Sequence, residues 1–390
     1  MLLFAGPVDG ANGPRPYRRE PVTELVGQSQ VVSIQAKSRE GRCRDNFCFS
    51  APIVQSGAPI PRRAALPTLI GEFSLSKTYL VTGGAGFIGS HFCEALLARG
   101  DAVVVLDDLS SGKRSNLAAA QGNLTFIEGD IRDLAKLDGS IPPVDGVVHL
   151  AALISGQDSL RDPDLYDDVN VRGTMRVIEF CARRRIPRLV FASSSSVYGN
   201  GSAGALAEDG LHAPITTYAL TKLTGEHLLS IYGKIHGFSH CSLRFFNVYG
   251  PRQAEDHPYA NVTCKFSHAA ANGLPVKLYG DGEQSRDFIY VADVVKAVLA
   301  VLDGSAERVY NVGTGKDFSI NHLLRVLERQ TGRPIEVEQC GEWSNDIRQI
   351  RADIGRLSAE TGFQPAVELD EGLAATVGFF QEEREPVAAL

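Results

Sequence analysis

The run Tyr79-Leu-Val-Thr-Gly-Gly-Ala-Gly-Phe-Ile-Gly-Ser90 constrains this chain more than any other stretch, because it joins an apolar strand to a glycine turn and then to a helix. Tyr79 to Thr82 has the short apolar run of a buried parallel strand, and Phe87 to Arg99 carries apolar residues at helical spacing. Gly84, Gly86 and Gly89 satisfy G-x-G-x-x-G, and Gly83, Gly86 and Gly89 satisfy G-x-x-G-x-x-G equally well. In either frame the missing Cβ atoms let the backbone turn tightly and approach a pyrophosphate, which unpaired N–H groups at the positive end of the helix then hold.

The next segment extends this pattern. Ala102-Val-Val-Val-Leu-Asp-Asp108 reads as a second buried strand, ending in a carboxylate about twenty residues past the glycines, where the adenosine ribose of a dinucleotide belongs. Asp107 is expected to accept from the 2′-OH and to repel a 2′-phosphate, which favours NAD over NADP. From Lys77 onward, strand and helix patterns alternate. Leu124 to Glu128, Gly146 to Leu150, Arg188 to Ala192 and Ser239 to Phe245 read as strands, with helices at Leu165 to Arg184 and Tyr218 to Tyr232. This is the βαβ rhythm of an α/β fold built on a doubly wound parallel sheet. After Asn247 the pattern loosens, leaving strand candidates at Asp287 to Val291 and Val309 to Val312 and a helix at Ile320 to Thr331. A smaller, partly interleaved second region is expected there, with a ligand cleft at the carboxyl ends of the strands.

Composition narrows the function classes. A net charge of −7 without a basic run leaves no electrostatic footprint for nucleic acid, and no apolar run reaches membrane-spanning length. Seven cysteines without a C-x-x-C pair imply reduced thiols in a cytoplasmic protein, and none has zinc-ligand spacing, Cys43 and Cys48 included. Residues 1–76 are rich in Pro, Gly and Arg and lack sustained periodicity, so a disordered extension is expected.

The chemistry is expected in two further stretches. Phe191-Ala-Ser-Ser-Ser-Ser-Val-Tyr-Gly199 brings hydroxyls to the carboxyl end of a strand, and Tyr218-Ala-Leu-Thr-Lys222 puts a phenol and an ammonium on one helix face. Bringing that phenol to neutrality asks for about 4 kcal/mol of preferential stabilisation of the phenolate, which a partly buried lysine and a nicotinamide's positive charge supply together. Tyr218 then becomes a general base.

Glycine turn, acidic strand end, serine strand end and Y-x-x-x-K occur in the order of one family. From about Lys77 onward the chain resembles the extended short-chain dehydrogenase/reductases, specifically the NAD-dependent nucleotide-sugar epimerase/dehydratase group, and most closely the UDP-hexose 4-epimerases. The resemblance implies a Rossmann-type domain over 77–246, to which 285–305 return, and a nucleotide-sugar-binding region from 247–284 and 306–390. It implies that Gly83, Gly86, Phe87, Ile88 and Gly89 line the NAD pyrophosphate, that Asp107 and Asp108 hold the ribose, and that Asp130 and Ile131 flank the adenine. Leu150, Ala151 and Ala152 would run past the cofactor with Asn170 in support, and Tyr218 and Lys222 would reach the nicotinamide ribose. Ser194 matches the catalytic hydroxyl. Asn247 and Arg286 match contacts to a UDP-sugar diphosphate.

The reaction implied is removal of the 4-OH proton by Tyr218 as hydride leaves C4, followed by return of hydride to the other face of the 4-keto sugar. Ser195 and Ser196 stand where dehydratases, decarboxylases and 3,5-epimerases of the group carry an acid or a cysteine, and Asn247 replaces the threonine of some uronate epimerases. Both point to a neutral hexose and a 4-epimerase. Trp343-Ser-Asn-Asp346 replaces the usual Arg-x-Gly-Asp, so Arg348 is expected to take over part of the diphosphate grip, and Ile350 matches the position that bounds the N-acyl pocket. Uronate or N-acetylhexosamine epimerases, 4,6-dehydratases and decarboxylases stay open, as does, more distantly, a non-catalytic NAD(H) sensor. The helices at Leu165 to Arg184 and Tyr218 to Tyr232 resemble those that pair in the group's homodimers.

Overall fold

The computed structural model describes residues 76–200, 204–255, 261–341 and 347–382. The extension expected over 1–76 lies, up to residue 75, outside them, as do Cys43, Cys48 and the stretch Trp343 to Asp346. Alternation along the apolar runs builds a seven-stranded parallel sheet from β1 (Thr78–Thr82), β2 (Ala102–Asp107), β3 (Leu124–Glu128), β4 (Gly146–His149), β5 (Arg188–Ser194), β6 (Ser239–Phe245) and β7 (Val309–Val312). Strand order is β7-β6-β5-β4-β1-β2-β3. The chain steps outward from β1 to β3, returns to β4 and steps the other way, so the loops after β1 and β4 diverge and open a crevice between them.

Because successive side chains leave opposite faces of a strand, each strand feeds two cores. Tyr79, Val81, Val103, Val105, Val148 and Val190 meet helices α1 (Phe87–Ala98) and, further along the chain, Val291–Asp303 on one face. Leu80, Val104, Leu106, Val147, Leu189 and Phe191 meet α2 (Gly173–Arg184) and α3 (Thr217–His236) on the other. Thr216 caps α3 by accepting from the Ala219 N–H, and Gly237, at φ 72°, ends it. The helix expected from Leu165 starts earlier, at Pro163, and holds a π-helical run, Asp167–Arg172, before α2.

A third core joins helices Val262–Asn272, Ile320–Thr331 and Leu369–Glu382 to the parallel pair Val276–Tyr279 and Val337–Cys340. Between this lobe and the main sheet lies a small sheet ordered Phe318–Ser319, Ser285–Arg286, Gln349–Ala352, Ala205–Leu206. Its four segments are far apart in sequence, so the second region is indeed interleaved with the first. One boundary needs correction. The return to the large sheet does not stop at residue 305: β7 pairs with β6 through Val312, because Tyr310 and Val312 complete the apolar layer there.

Candidate functional site

The glycine turn is shaped by two contacts that no side chain permits. Gly83 has φ 72°, and a Cβ on it would lie 2.7 Å from the Ala151 nitrogen; a Cβ on Gly89 would lie 2.1 Å from the Gly83 oxygen. Gly86 caps α1 without any side-chain hydrogen bond, and the first turn, which includes Phe87 and Ile88, carries no acidic residue. The N–H groups of that turn therefore face the crevice with no side-chain acceptor, a cradle that fits the pyrophosphate of a dinucleotide.

Asp107 ties the turn to β2. Its carboxylate, 7% exposed, accepts from the N–H of Ala85 at 2.9 Å and of Leu109 at 2.9 Å, and burial raises its pKa against those two bonds. Each oxygen keeps a second lone pair, so holding the turn and accepting from a ribose hydroxyl are compatible. Asp108 is exposed, with one oxygen accepting from the Ser110 N–H and hydroxyl. Asp130 is engaged by Arg132, which also pairs with Asp168, and Ile131 packs into the core against α2. The Asp130 carboxyl is held below its usual range by that guanidinium.

Leu150, Ala151 and Ala152 follow β4 directly, half-buried beneath the turn. A polar chain inside the sheet holds them. The Thr174 hydroxyl donates to the Asn170 carbonyl, which can only accept, so its oxygen receives the Nε2–H of His149 at 3.0 Å. His149 Nδ1 must then accept from the Thr82 hydroxyl at 2.7 Å, and Thr82 in turn faces the Ala151 N–H at 3.4 Å. Burial pushes the His149 pKa down to about 3, so the ring is neutral. The Asn170 side chain clamps the Leu153 N–H and carbonyl at 2.9 Å each and donates to Thr221 of α3 at 3.1 Å.

At the end of β5 the Ser194 oxygen accepts from the N–H and hydroxyl of Ser196, at 3.2 and 3.0 Å, which leaves its own proton to be directed towards the nearby Tyr218 phenol. Ser195 and Ser196 form the turn that follows. Lys222, 4% exposed, donates to the Ala192 carbonyl at 2.9 Å, and its Nζ lies 5.9 Å from the centre of the Tyr218 ring. Burial lowers its pKa to about 7. Burial also raises the Tyr218 pKa, opposed by the Ser194 hydrogen bond. Tyr218 and Lys222 share a face, with the lysine ammonium engaged by the Ala192 carbonyl rather than by the phenol.

Across the crevice, Asn247 bonds the Asp287 carbonyl through its backbone at 3.1 Å and its side chain at 3.2 Å. Arg286 and Ile350 are register partners in the small sheet, and Arg286 donates to the carbonyls of Ser285 and Ile347 at 2.8 and 2.6 Å. Ile350 packs on Val197, Tyr198, Leu206, Phe246 and Ala352, the cluster that begins just past Ser194. Arg348 is exposed and paired with Asp281. Asp287, fully buried, accepts from Thr314, Gly315 and Ala352 and so ties the loop after β7 to the end of strand Gln349–Ala352.

Sequence reasoning missed the residues behind this surface: Thr82, His149, Thr174, Thr221, Ser193, Glu226 and Arg244. One signal was available, since Glu226 continues the four-residue spacing of Tyr218 and Lys222. No group of three or more His, Cys, Asp or Glu that could hold a metal occurs among the described residues, and no described helix is long and apolar enough to cross a membrane.

Residues 79–313 match the model of the NAD-dependent epimerase/dehydratase family. A UDP-glucose 4-epimerase of Mycolicibacterium smegmatis is 39% identical over 313 residues, covering 78% of this chain and 99% of that one. The structure of a UDP-N-acetylglucosamine 4-epimerase from Methanobrevibacter ruminantium, in complex with UDP-N-acetylmuramic acid, matches with a TM-score of 0.76 and 38% identity over 79% of this chain and 99% of that one. A UDP-glucuronic acid 4-epimerase from Bacillus cereus, solved with UDP-glucuronic acid and NAD, matches with a TM-score of 0.72 and 32% identity, over 78% and 99% of the two chains. The names carry three sugars, so the likeness reaches NAD-dependent nucleotide-sugar epimerases and stops short of the sugar.

Proposed function

This chain belongs to the NAD-dependent epimerase/dehydratase family, and from that premise we propose that it inverts C4 of a UDP-hexose of the UDP-glucose/UDP-galactose type. The observation that carries the reading is the make-up of the β5 end. Tyr218 is the acid–base group there, flanked by Ser194, Ser195 and Ser196, while the carboxylate of Glu226, behind them on α3, is buried and forked by Arg244. Elimination of water or inversion beside C4 needs a second acid or base facing the sugar.

Tyr218 takes the proton from the 4-OH through its phenol oxygen and later returns it. Ser194, its oxygen already filled by Ser196, directs its proton to the same place and fixes the 4-oxygen. Lys222, held by the Ala192 carbonyl, is placed for a ribose of the cofactor, with Leu150, Ala151, Ala152 and Asn170 forming the wall and Asp107 and Asp108 the adenosine end. NAD supplies the acceptor and donor of hydride for C4 and a positive ring that favours the phenolate. Arg286, with Asn247 beside it and Arg348 at the rim, grips the diphosphate, which leaves the sugar ring free to turn over between the two proton transfers. Ile350 bounds the sugar pocket. A stripe of exposed apolar residues on α3, Leu220, Ile231 and Ile235, with Ile154, Leu160 and Leu165 exposed nearby in sequence to the helices that pack on α3, fits the homodimer of this group.

Proton NMR of C4 in UDP-glucose and UDP-galactose tests the reading, with no cofactor added and Tyr218→Phe as control. Interconversion that falls about 1,000-fold in the variant is expected. A 4-keto-6-deoxy or pentose product would overturn it, and the same assay on UDP-glucuronic acid and UDP-N-acetylglucosamine settles the sugar.

A further inference from the structure

Three consecutive turns of α3 hold three consecutive residues of β5. Tyr218 faces the Ser194 hydroxyl, Lys222 donates to the Ala192 carbonyl, and Glu226 accepts from the Ser193 hydroxyl at 2.5 Å. The spacing of four residues keeps all three on one helix face. At Gly225 the helix comes so close to the strand that a Cβ would lie 2.5 Å from the Phe191 ring. The third rung is anchored from behind. Arg244, on the neighbouring β6 in register with Ser193, forks both oxygens of Glu226 at 2.9 and 2.7 Å. The same guanidinium donates to the Tyr198 hydroxyl at 2.8 Å, and that hydroxyl donates to the Asn311 Oδ1 of β7 at 2.6 Å. Ser193, Glu226 and Arg244 are 3%, 6% and 1% exposed, so none can touch a substrate.

We propose that Ser193, Glu226 and Arg244 are positioning residues, a buried rung that fixes the separation between Ser194 and Tyr218. A charged pair is costly to bury, and this one is matched at every oxygen and directed at the strand end that carries the reacting hydroxyl. Ser193 is the place where the rung can be cut without exposing a charge, because Arg244 still satisfies Glu226 when the serine hydroxyl is gone. The role rests on the epimerase reading for its effect on turnover, but the geometry of the rung does not.

The test compares Ser193→Ala, Ser193→Thr and wild type by kcat, KM and thermal melting, together with the titration of Tyr218 followed by tyrosinate absorbance. The signal of a Tyr218→Phe protein is subtracted. Lys222 and Tyr166 are the other titratable groups that bear on Tyr218, and all three proteins share them. Expected for Ser193→Ala are a kcat about 10-fold lower, an unchanged KM and melting temperature, and a Tyr218 titration moved to higher pH as Ser194 drifts from the phenol. Ser193→Thr, which keeps the hydroxyl, is expected to restore both kcat and titration. An unchanged kcat and titration in Ser193→Ala would overturn the proposal. So would a loss of kcat that vanishes on correction for the folded fraction. If wild type turns over no UDP-sugar, the epimerase reading fails, and the titration alone still supports the rung by moving or refutes it by staying.

Discussion

Around the glycine turn the chain excludes side chains, with Gly83 and Gly89 in contact with backbone and the first turn of α1 left open. Across the crevice it does the reverse, presenting Arg286 from a two-residue strand and the exposed Arg348 from the residue just before the strand Gln349–Ala352. The first half is set by the core of the large sheet and by hydrogen bonds that leave no freedom. The second is set by a small sheet stitched from distant segments and pinned by Asp287. Under the proposed function, a cofactor retained through the cycle suits the first half, whereas a substrate that enters, turns over and leaves suits the half built from long side chains.

That contrast can be broken experimentally. Gly89→Val is expected to have the largest effect, since its Cβ meets backbone: a protein purified without NAD, inactive, and less stable by about 3 kcal/mol, read from cofactor absorbance and denaturant melts. Full NAD occupancy in that variant would sink the account of the turn. Arg286→Ala should raise the KM for the UDP-sugar about 10- to 100-fold with NAD content intact, as removal of a charged donor does. For Arg348→Ala a rise of a few-fold is expected, because Asp281 already holds that side chain in solvent. An unchanged KM would remove Arg348 from the diphosphate site.

At neutral pH the smallest effect is expected from His149→Gln, whose signature lies in pH dependence. The folded protein holds the imidazole neutral down to about pH 3, while an unfolded chain takes up the proton near 6.5. Between those values the unfolded state binds the extra proton, so this group's share of stability is intact above the unfolded pKa and is lost as pH falls. Denaturant midpoints from pH 7 to 4 should therefore decline less steeply in His149→Gln than in wild type. Parallel declines would mean that other groups dominate acid unfolding.

How much of this was readable beforehand follows from where each signal lives. β3, β6 and β7 and the helix Ile320–Thr331 appear with the ends the sequence implied, because their apolar periods are strong and their neighbours are turn formers. Helix Val291–Asp303 was missed. It is rich in valine and its solvent side carries only Lys296 and Asp303 among alanine and leucine, so neither a broad polar face nor its composition marks it as helical. Helix Val262–Asn272 hides in the same way behind small residues. At the site, Ser194, Tyr218 and Lys222 announce themselves by order and spacing, but Lys222's attachment to a carbonyl and the rise in the Tyr218 pKa depend on burial, which no spacing records. Ser193, Glu226 and Arg244 become a unit only once β5, α3 and β6 are packed together.

The π-helical run Asp167–Arg172 bears on how this chain tolerates changes in length. A π-helical turn carries an extra residue relative to the α-helix on either side. Deleting one residue there would let the hydrogen bonds relax into regular α-helical form, so the helix itself would lose nothing. The residues on one side of the cut would nevertheless rotate by about 100° relative to those on the other. Either Asn170 swings away from Leu153 and Thr221, or Val177, Ile178 and Cys181 leave the core. The run thus acts as a frame-keeper: substitutions within it leave the phase between site and core untouched, whereas a single-codon deletion shifts that phase and uncouples the two.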